Sequence, residues 1–410
     1  MSHSIFVIDR NKVFYGLIYL LWIYEGLFRY ISVALWRIPF VGDFLRFYLG
    51  ITCIILLLVL SIKDIFSNIN YRDIIFAAIV FLVSIVTLLV GAKTTEAFGD
   101  LAPVFLFNSF PMYFIGKVVT KKTIIDADNK LIINLTTLSM ISAVVMVVIG
   151  LRTGISVDAE WMSDQYAPYL ILPHLLLIIA SIFKKFNPVK LFVLVVGVLY
   201  VLMLGNRGSV ICLLTMFLIM LIYQTSTMRL SRRLLILVIF SVVIGIMAFT
   251  NLYRQLLLGL YAYAQSKGLS TRVFLFFLGD DSSINFDSGR SDILKMLWNK
   301  VVENPFGYGL ASDRYLGNGL YAHNVFLEIV VDFGLFIGGV IVIVLMYNII
   351  RAIIRSKHCW SVRTILYVLL CCGFVKLFIS GSYLTEPYFF ALIGTIVAIN
   401  QYYKNIIKEE

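Results

Sequence analysis

The chain has 410 residues, 60% of them hydrophobic and only 14% charged, with a mean hydropathy of +0.94. A soluble globular chain carries about 25% charged residues, so a set of water-facing domains is excluded. The 32 Phe and 23 Tyr exclude a disordered chain, and five Cys in this length exclude a disulfide scaffold.

What remains is an all-α polytopic membrane protein. At roughly 20 apolar residues per crossing, twelve stretches qualify: 13–35, 44–62, 74–92, 101–119, 131–150, 167–183, 189–205, 208–224, 234–252, 323–350, 362–380 and 385–403. Glu25 and Arg29 interrupt the first and make a helical ion pair in its outer half. Gly205–Asn206–Arg207–Gly208 reads as a tight outer turn. Basic clusters occupy alternate connections: Arg10/Lys12, Lys63/Arg72, Lys117/Lys121/Lys122/Lys130, Lys184/Lys185/Lys190, Arg229/Arg232/Arg233, Arg351/Arg355/Lys357/Arg363 and Lys404/Lys408. Lys and Arg favour the cytoplasmic side, so both termini are expected there. The net charge of +11 is then a topology signal, and no nucleic-acid partner is expected. Met1–Lys12 is polar with no small-residue cleavage site behind it, so the first span reads as an anchor. The cysteines show no metal-ligand spacing; neither a metal nor a cofactor is expected.

The chain thus divides into nine spans over 1–252, one large external loop over 253–322 and three spans over 323–410. A loop of that length is usually functional. Within it, Leu256–Ala264 is apolar enough to lie along the membrane surface. Ser288 is a plausible N-cap for a helix carrying Ile293, Leu294, Leu297, Val301 and Val302, and Asn304–Pro305 ends that helix. A glycine-punctuated run, Gly307 to Gly319, leads to Tyr321–Ala322–His323–Asn324.

Three residues suited to chemistry open outer-side helices: Arg207, Arg290 and His323. A helix N-terminus presents free N–H groups and the positive end of the dipole. Arginine there is unfavourable unless an anion is held by the N–H groups and the guanidinium together. Two such arginines on one face suggest a diphosphate. Each also has a plainer reading: lipid snorkelling for Arg207, an exposed pair with Asp287 for Arg290, a backbone-satisfied histidine for His323. Asn324, Glu328 and Asp332 recur every four residues in the next span, and Glu328 reads best as a buried, hydrogen-bonded acid. Lys376 falls in the outer half of its span. Arg254, Arg314, Asn324 and Glu328 complete the candidate set.

Asn206–Arg207–Gly208–Ser209, Ser288–Gly289–Arg290, Asn304–Pro305–Phe306–Gly307–Tyr308–Gly309, and His323–Asn324 with Glu328 and Gly334 occur in that order over about residues 200–340. Together they resemble the Wzy-type O-antigen polymerase and O-antigen ligase superfamily. The resemblance implies a GT-C-like glycosyltransferase whose periplasmic loop faces undecaprenyl-diphosphate-linked oligosaccharide. It implies that Arg207 and Arg290 bind the donor diphosphate and that His323 is the general base. Membrane lipid, a chain-length regulator and a flippase are the further partners it suggests. The expected place is the bacterial inner membrane, with the site facing the periplasm. Asp280, Asp281, Asp287 and Asp313 are alternative bases. Three activities compete. The first is a polymerase joining lipid-linked repeat units of O-antigen or another surface polysaccharide. The second is a ligase moving finished glycan onto lipid A–core or protein. The third is a flippase, which the position of the long loop disfavours.

Overall fold

The structure is a computed structural model. It describes residues 10–34, 48–68, 70–90, 94–126, 129–153, 167–204, 206–227, 252–266, 290–317 and 319–409. Every regular element among them is helical. α1 (Arg10–Ile23) passes through a π-helical turn at Tyr24–Phe28 into α2 (Arg29–Ala34). α3 (Leu49–Asn68), α4 (Tyr71–Val90) and α5 (Thr94–Val104) follow; a second π-turn, Phe105–Ser109, leads to α6 (Met112–Asp126) and α7 (Lys130–Thr153). The middle of the chain forms α8 (Ala167–Lys184), α9 (Pro188–Met203) and α10 (Arg207–Thr227). Three helices lie in the stretch expected as the external loop: α11 (Leu252–Ser266), α12 (Arg290–Glu303) and α13 (Ser312–Leu316). The last are α14 (Val325–Arg355), α15 (Trp360–Leu370) and α16 (Pro387–Glu409).

Helix overlaps each predicted span except 234–252, which lies, but for Leu252, outside the described residues. Among the described residues six segments are long and apolar enough to cross a membrane: Tyr71–Leu89, Thr95–Ile125, Lys130–Arg152, Ala167–Lys184, Val325–Arg355 and Trp360–Phe378. The chain divides into two compact units. One comprises Met1–Trp22, Phe47–Ile133 and Asp287–Glu410; the other comprises Ile23–Arg46 and Asn134–Phe286.

In the first unit α6 and α16, far apart in the chain, pack along each other. A Cβ on Gly394 would stand 1.9 Å from the Tyr113 carbonyl oxygen. Lipid offers helices no hydrophobic drive to associate, so close backbone packing at small residues takes its place. Thr120 and Thr395 add a hydrogen bond of 2.9 Å. α4 joins α6 through Asp73. This carboxylate accepts from the Asn70 backbone N–H at 2.8 Å, from Lys117 Nζ at 2.5 Å and from the Tyr113 hydroxyl. Its place in the first turn of α4 also suits the helix dipole. Lys117 was grouped by sequence with a cytoplasmic basic cluster; the structure makes it a buried counter-ion.

The second unit is built around α8, buried continuously from Ala167 to Ser181. Such a helix must be apolar all round, and its polar groups are paired. His174 Nδ1 lies 3.1 Å from Ser139 Oγ. Tyr30 donates to the Ala167 carbonyl at 3.3 Å and lies 3.2 Å from the Tyr200 hydroxyl. Arg207 is the first residue of α10, as expected, and Asn206 Oδ1 accepts from Ser209 N at 2.9 Å to cap that turn. The side chains of Glu25, Arg207 and Arg254 lie outside the described residues, as do Asp280, Asp281, Asp287 and Ser288.

Candidate active site

The site is assembled within the first unit, from α12 to the start of α16. α12 buries Leu297 and Val301 against Ala322 and Val331, with Ile293 and Met296 packed beside them. It stops at Glu303 because Asn304 turns the chain and Pro305 cannot continue a helix. Asn304 Nδ2 donates to the Gly307 carbonyl at 2.8 Å. The strand of backbone that follows is locked onto α14. Tyr308 N donates to Val331 O at 3.0 Å, Gly309 N to Asp332 O at 3.0 Å, and Leu335 N to Pro305 O at 2.9 Å. These carbonyls are available because α14 opens at Gly334, where φ is 80° and ψ 166°. Gly307 and Gly334 face each other: a Cβ on Gly307 would lie 2.4 Å from Gly334 N, and one on Gly334 2.4 Å from Phe306 C. The Asn304–Gly309 motif is therefore a backbone clasp on a kinked membrane helix.

Three carboxylates are buried behind this clasp. Asp332 Oδ1 accepts from Ser312 N at 3.2 Å and Ser312 Oγ at 2.9 Å; its Oδ2 accepts from the Tyr383 hydroxyl at 2.7 Å. Glu328 accepts from Ser382 Oγ and from Tyr383 N at 3.2 Å. Asp313 Oδ2 accepts from Ala322 N at 2.9 Å, and its Oδ1 is buried without a hydrogen-bond partner among the described residues. Burial raises the Asp313 pKa above its ordinary value. A buried carboxylate held by oriented donors fixes the backbone that supplies them. Here that backbone is 312, 322 and 383.

His323 sits directly after Ala322. Sequence reading placed it in the first turn of a helix; the structure puts it outside. α14 begins at Val325, and Asn324 is its N-cap, with Oδ1 accepting from Phe326 N at 3.0 Å and Leu327 N at 3.3 Å. An N-cap must be extended rather than helical, so the residue before it is free to turn the chain. His323 does so in the left-handed region, at φ 49°. Its ring lies 3.9 Å from the Tyr321 ring, and Arg314 lies over the other ring at 5.9 Å. His323 Nδ1 is buried without a hydrogen-bond partner among the described residues. The pKa is pushed down to about 4, first by burial and then by the Arg290 charge, against an opposing contact with the Ile379 backbone. At neutral pH this is a neutral imidazole with a free ring nitrogen.

Arg290 is the first residue of α12 and half-buried. Among the described residues no carboxylate forms an ion pair with it, and Asp292 is the acidic residue in that turn. Arg314 carries a buried Nε without a hydrogen-bond partner among the described residues. Arg290, Arg314, His323, Asn324 and Glu328 thus share one unit, while Arg207 and Arg254 belong to the other. The segment after α15 covers the end of the predicted span 362–380 and the join to the next span. It supplies Ser382 and Tyr383 to the carboxylates and holds Lys376, placed by sequence in the outer half of its span, in an ion pair with Glu386.

Compared with known proteins, residues 192–343 match the family model described as O-antigen ligase. That stretch contains every candidate from Arg207 to Glu328 and the Gly334 kink. No curated protein and no solved structure matches the chain. With the six apolar helices, the match marks a multi-pass membrane protein. Over residues 192–343 the chain is therefore similar to the O-antigen ligase/polymerase superfamily.

Proposed function

We propose that the chain is a surface-polysaccharide polymerase acting at the outer leaflet of the bacterial inner membrane. In this reading it moves a growing glycan from undecaprenyl diphosphate onto a new undecaprenyl-diphosphate-linked repeat unit. The observation that carries the reading is the pair His323 and Arg290: a neutral imidazole with a buried Nδ1 that has no hydrogen-bond partner among the described residues, under the field of an arginine that opens a helix and has no ion-pair partner among them. His323 takes the proton of the acceptor hydroxyl, and that oxygen attacks the anomeric carbon of the donor. The bond from that carbon to the diphosphate oxygen breaks, and undecaprenyl diphosphate leaves with the electron pair. Arg290 and the free N–H groups of α12 stabilise the charge on the leaving group. A positioned base of this kind is worth about 10²–10⁴ in rate. Arg314, Asn324 and Glu328 shape and charge the surroundings. The diphosphate is its own leaving group, so the scheme draws on no metal. A flippase supplies the lipid-linked units, and a chain-length regulator sets the product.

The family description favours a second reading, in which finished glycan goes to lipid A–core or protein by the same base and leaving group. Reconstitution in liposomes with lipid-linked repeat units alone decides between them. A ladder of lengthening products supports the polymerase. Product formed only when a separate acceptor is added means the ligase. Movement of lipid without a new glycosidic bond overturns both.

A further inference from the structure

One face of α12 is left over when its core contacts are counted. Ile293, Leu297 and Val301 pack inward, and Asp292, Lys295, Asn299 and Glu303 are exposed polar residues. At about 100° per residue, Trp298 and Val302 fall between those two arcs. They are 50% and 66% exposed, and Phe306, just beyond the helix, is 79% exposed. The Phe306 ring lies 6.1 Å from Phe336, which opens the exposed apolar row of α14: Phe336, Val340, Ile343, Tyr347. The patch on α12 is therefore continuous with the lipid-facing side of a membrane-spanning helix.

Its depth follows from α14. Arg351 and Arg355 belong at a headgroup layer. About 20 helical residues cross the hydrocarbon, so the opposite boundary falls near Val331. That is where the clasp binds, through Tyr308 N to Val331 O and Leu335 N to Pro305 O. We propose that α12 is an interfacial helix, with Trp298, Val302 and Phe306 inserted into the acyl boundary of the leaflet that borders the Gly334 kink. The occupant of this face is bulk phospholipid. An amphipathic helix with a charged arc and a tryptophan beside its apolar flank suits that layer. Left in water, the same patch would favour association. The placement stands without any assignment of chemistry. Combined with the function proposed above, it holds Arg290 and His323 at headgroup depth, where a lipid-borne diphosphate arrives without leaving the bilayer.

Nitroxide labels at Val302, Asn299 and Ile343, each in a variant lacking the native cysteines, test the depth in phospholipid nanodiscs. Collisions with oxygen report lipid, and collisions with a water-soluble nickel chelate report solvent. Val302 should favour oxygen as Ile343 does, and Asn299 should favour nickel. Nickel preference at Val302 overturns the inference. So does shielding from both, which would mean another part of the chain or a second copy covers the face. Oxygen access that arises only on adding undecaprenyl diphosphate also overturns it, because the carrier would then be the occupant. A second measurement keeps the cysteines: quenching of intrinsic fluorescence by brominated phospholipid should fall in Trp298→Phe, and unchanged quenching contradicts the insertion.

Discussion

Gly334→Ala tests the clasp that positions the site. At φ 80° and ψ 166° the backbone is in a region that is essentially glycine-only, and a side chain there costs about 1–3 kcal/mol. The new Cβ would also stand 2.4 Å from Phe306 C and 2.5 Å from Pro305 O. Both are backbone atoms that cannot rotate aside, so the clasp must open. Its hydrogen bonds to Val331, Asp332 and Leu335 contribute about 0.5–1.5 kcal/mol each. Together these place the loss at about 2.5–7.5 kcal/mol, a large share of the about 5–15 kcal/mol typical of folded proteins. Gly339→Ala in the same helix is the control. Nothing lies within 4 Å of its added Cβ, and alanine in a helix interior is favoured over glycine by up to about 1 kcal/mol. Thermal unfolding in nanodiscs, with limited proteolysis around residue 306, should show Gly334→Ala destabilised and cut, and Gly339→Ala unchanged or more stable. A Gly334→Ala protein that melts with the wild type and resists the protease would refute the clasp.

Other substitutions probe the charges. Lys117→Met leaves the buried Asp73 carboxylate uncompensated and should cost about 3–5 kcal/mol, most of it recovered on adding Asp73→Asn; equal stability of the single and double variants would remove the ion pair from the account. Asp313→Asn keeps an acceptor for Ala322 N and should fold like the wild type, whereas Asp313→Ala should lose about 1–3 kcal/mol. The raised Asp313 pKa means that the native state holds this proton more firmly than the unfolded chain. Its contribution to stability is present in acid and lost as pH rises through the folded pKa, and unfolding measured against pH should lose that trend in Asp313→Asn. His323 has the opposite sign: the unfolded chain takes the proton near the ordinary histidine value of 6.5 and the native state only near 4. Its contribution is lost as pH falls between those values. The acid limb of transfer activity should lie near pH 4 and move upward in Arg290→Gln, and a limb that stays in place would separate Arg290 from the histidine.

How far the sequence reached depended on whether a signal was local. Hydropathy located helices because each must satisfy its own backbone in lipid, and the apolar spacing of Ile293, Leu297 and Val301 marked α12. Arg290 and Arg207 were found at helix starts. His323 was placed one step too far in, because Asn324 reads in sequence as part of the same polar entry and only its side-chain geometry shows it to be the cap. The kink was hidden: Gly334 looks like any glycine in an apolar helix until Gly307, 27 residues earlier in the chain, is found against it. Ser382 and Tyr383 were missed for the same reason, since their carboxylate partners lie 54 and 51 residues away. Lys117 was counted as a surface charge because charge type says nothing about burial.

The central claim is glycosyl transfer with a polyprenyl diphosphate as leaving group. The most direct measurement counts free undecaprenyl diphosphate against new glycosidic bonds during turnover by the purified protein. The account predicts one released for each bond formed, with both falling together by about 10²–10⁴ in His323→Ala. Release of undecaprenyl monophosphate, or bond formation without release of the diphosphate carrier, would contradict it.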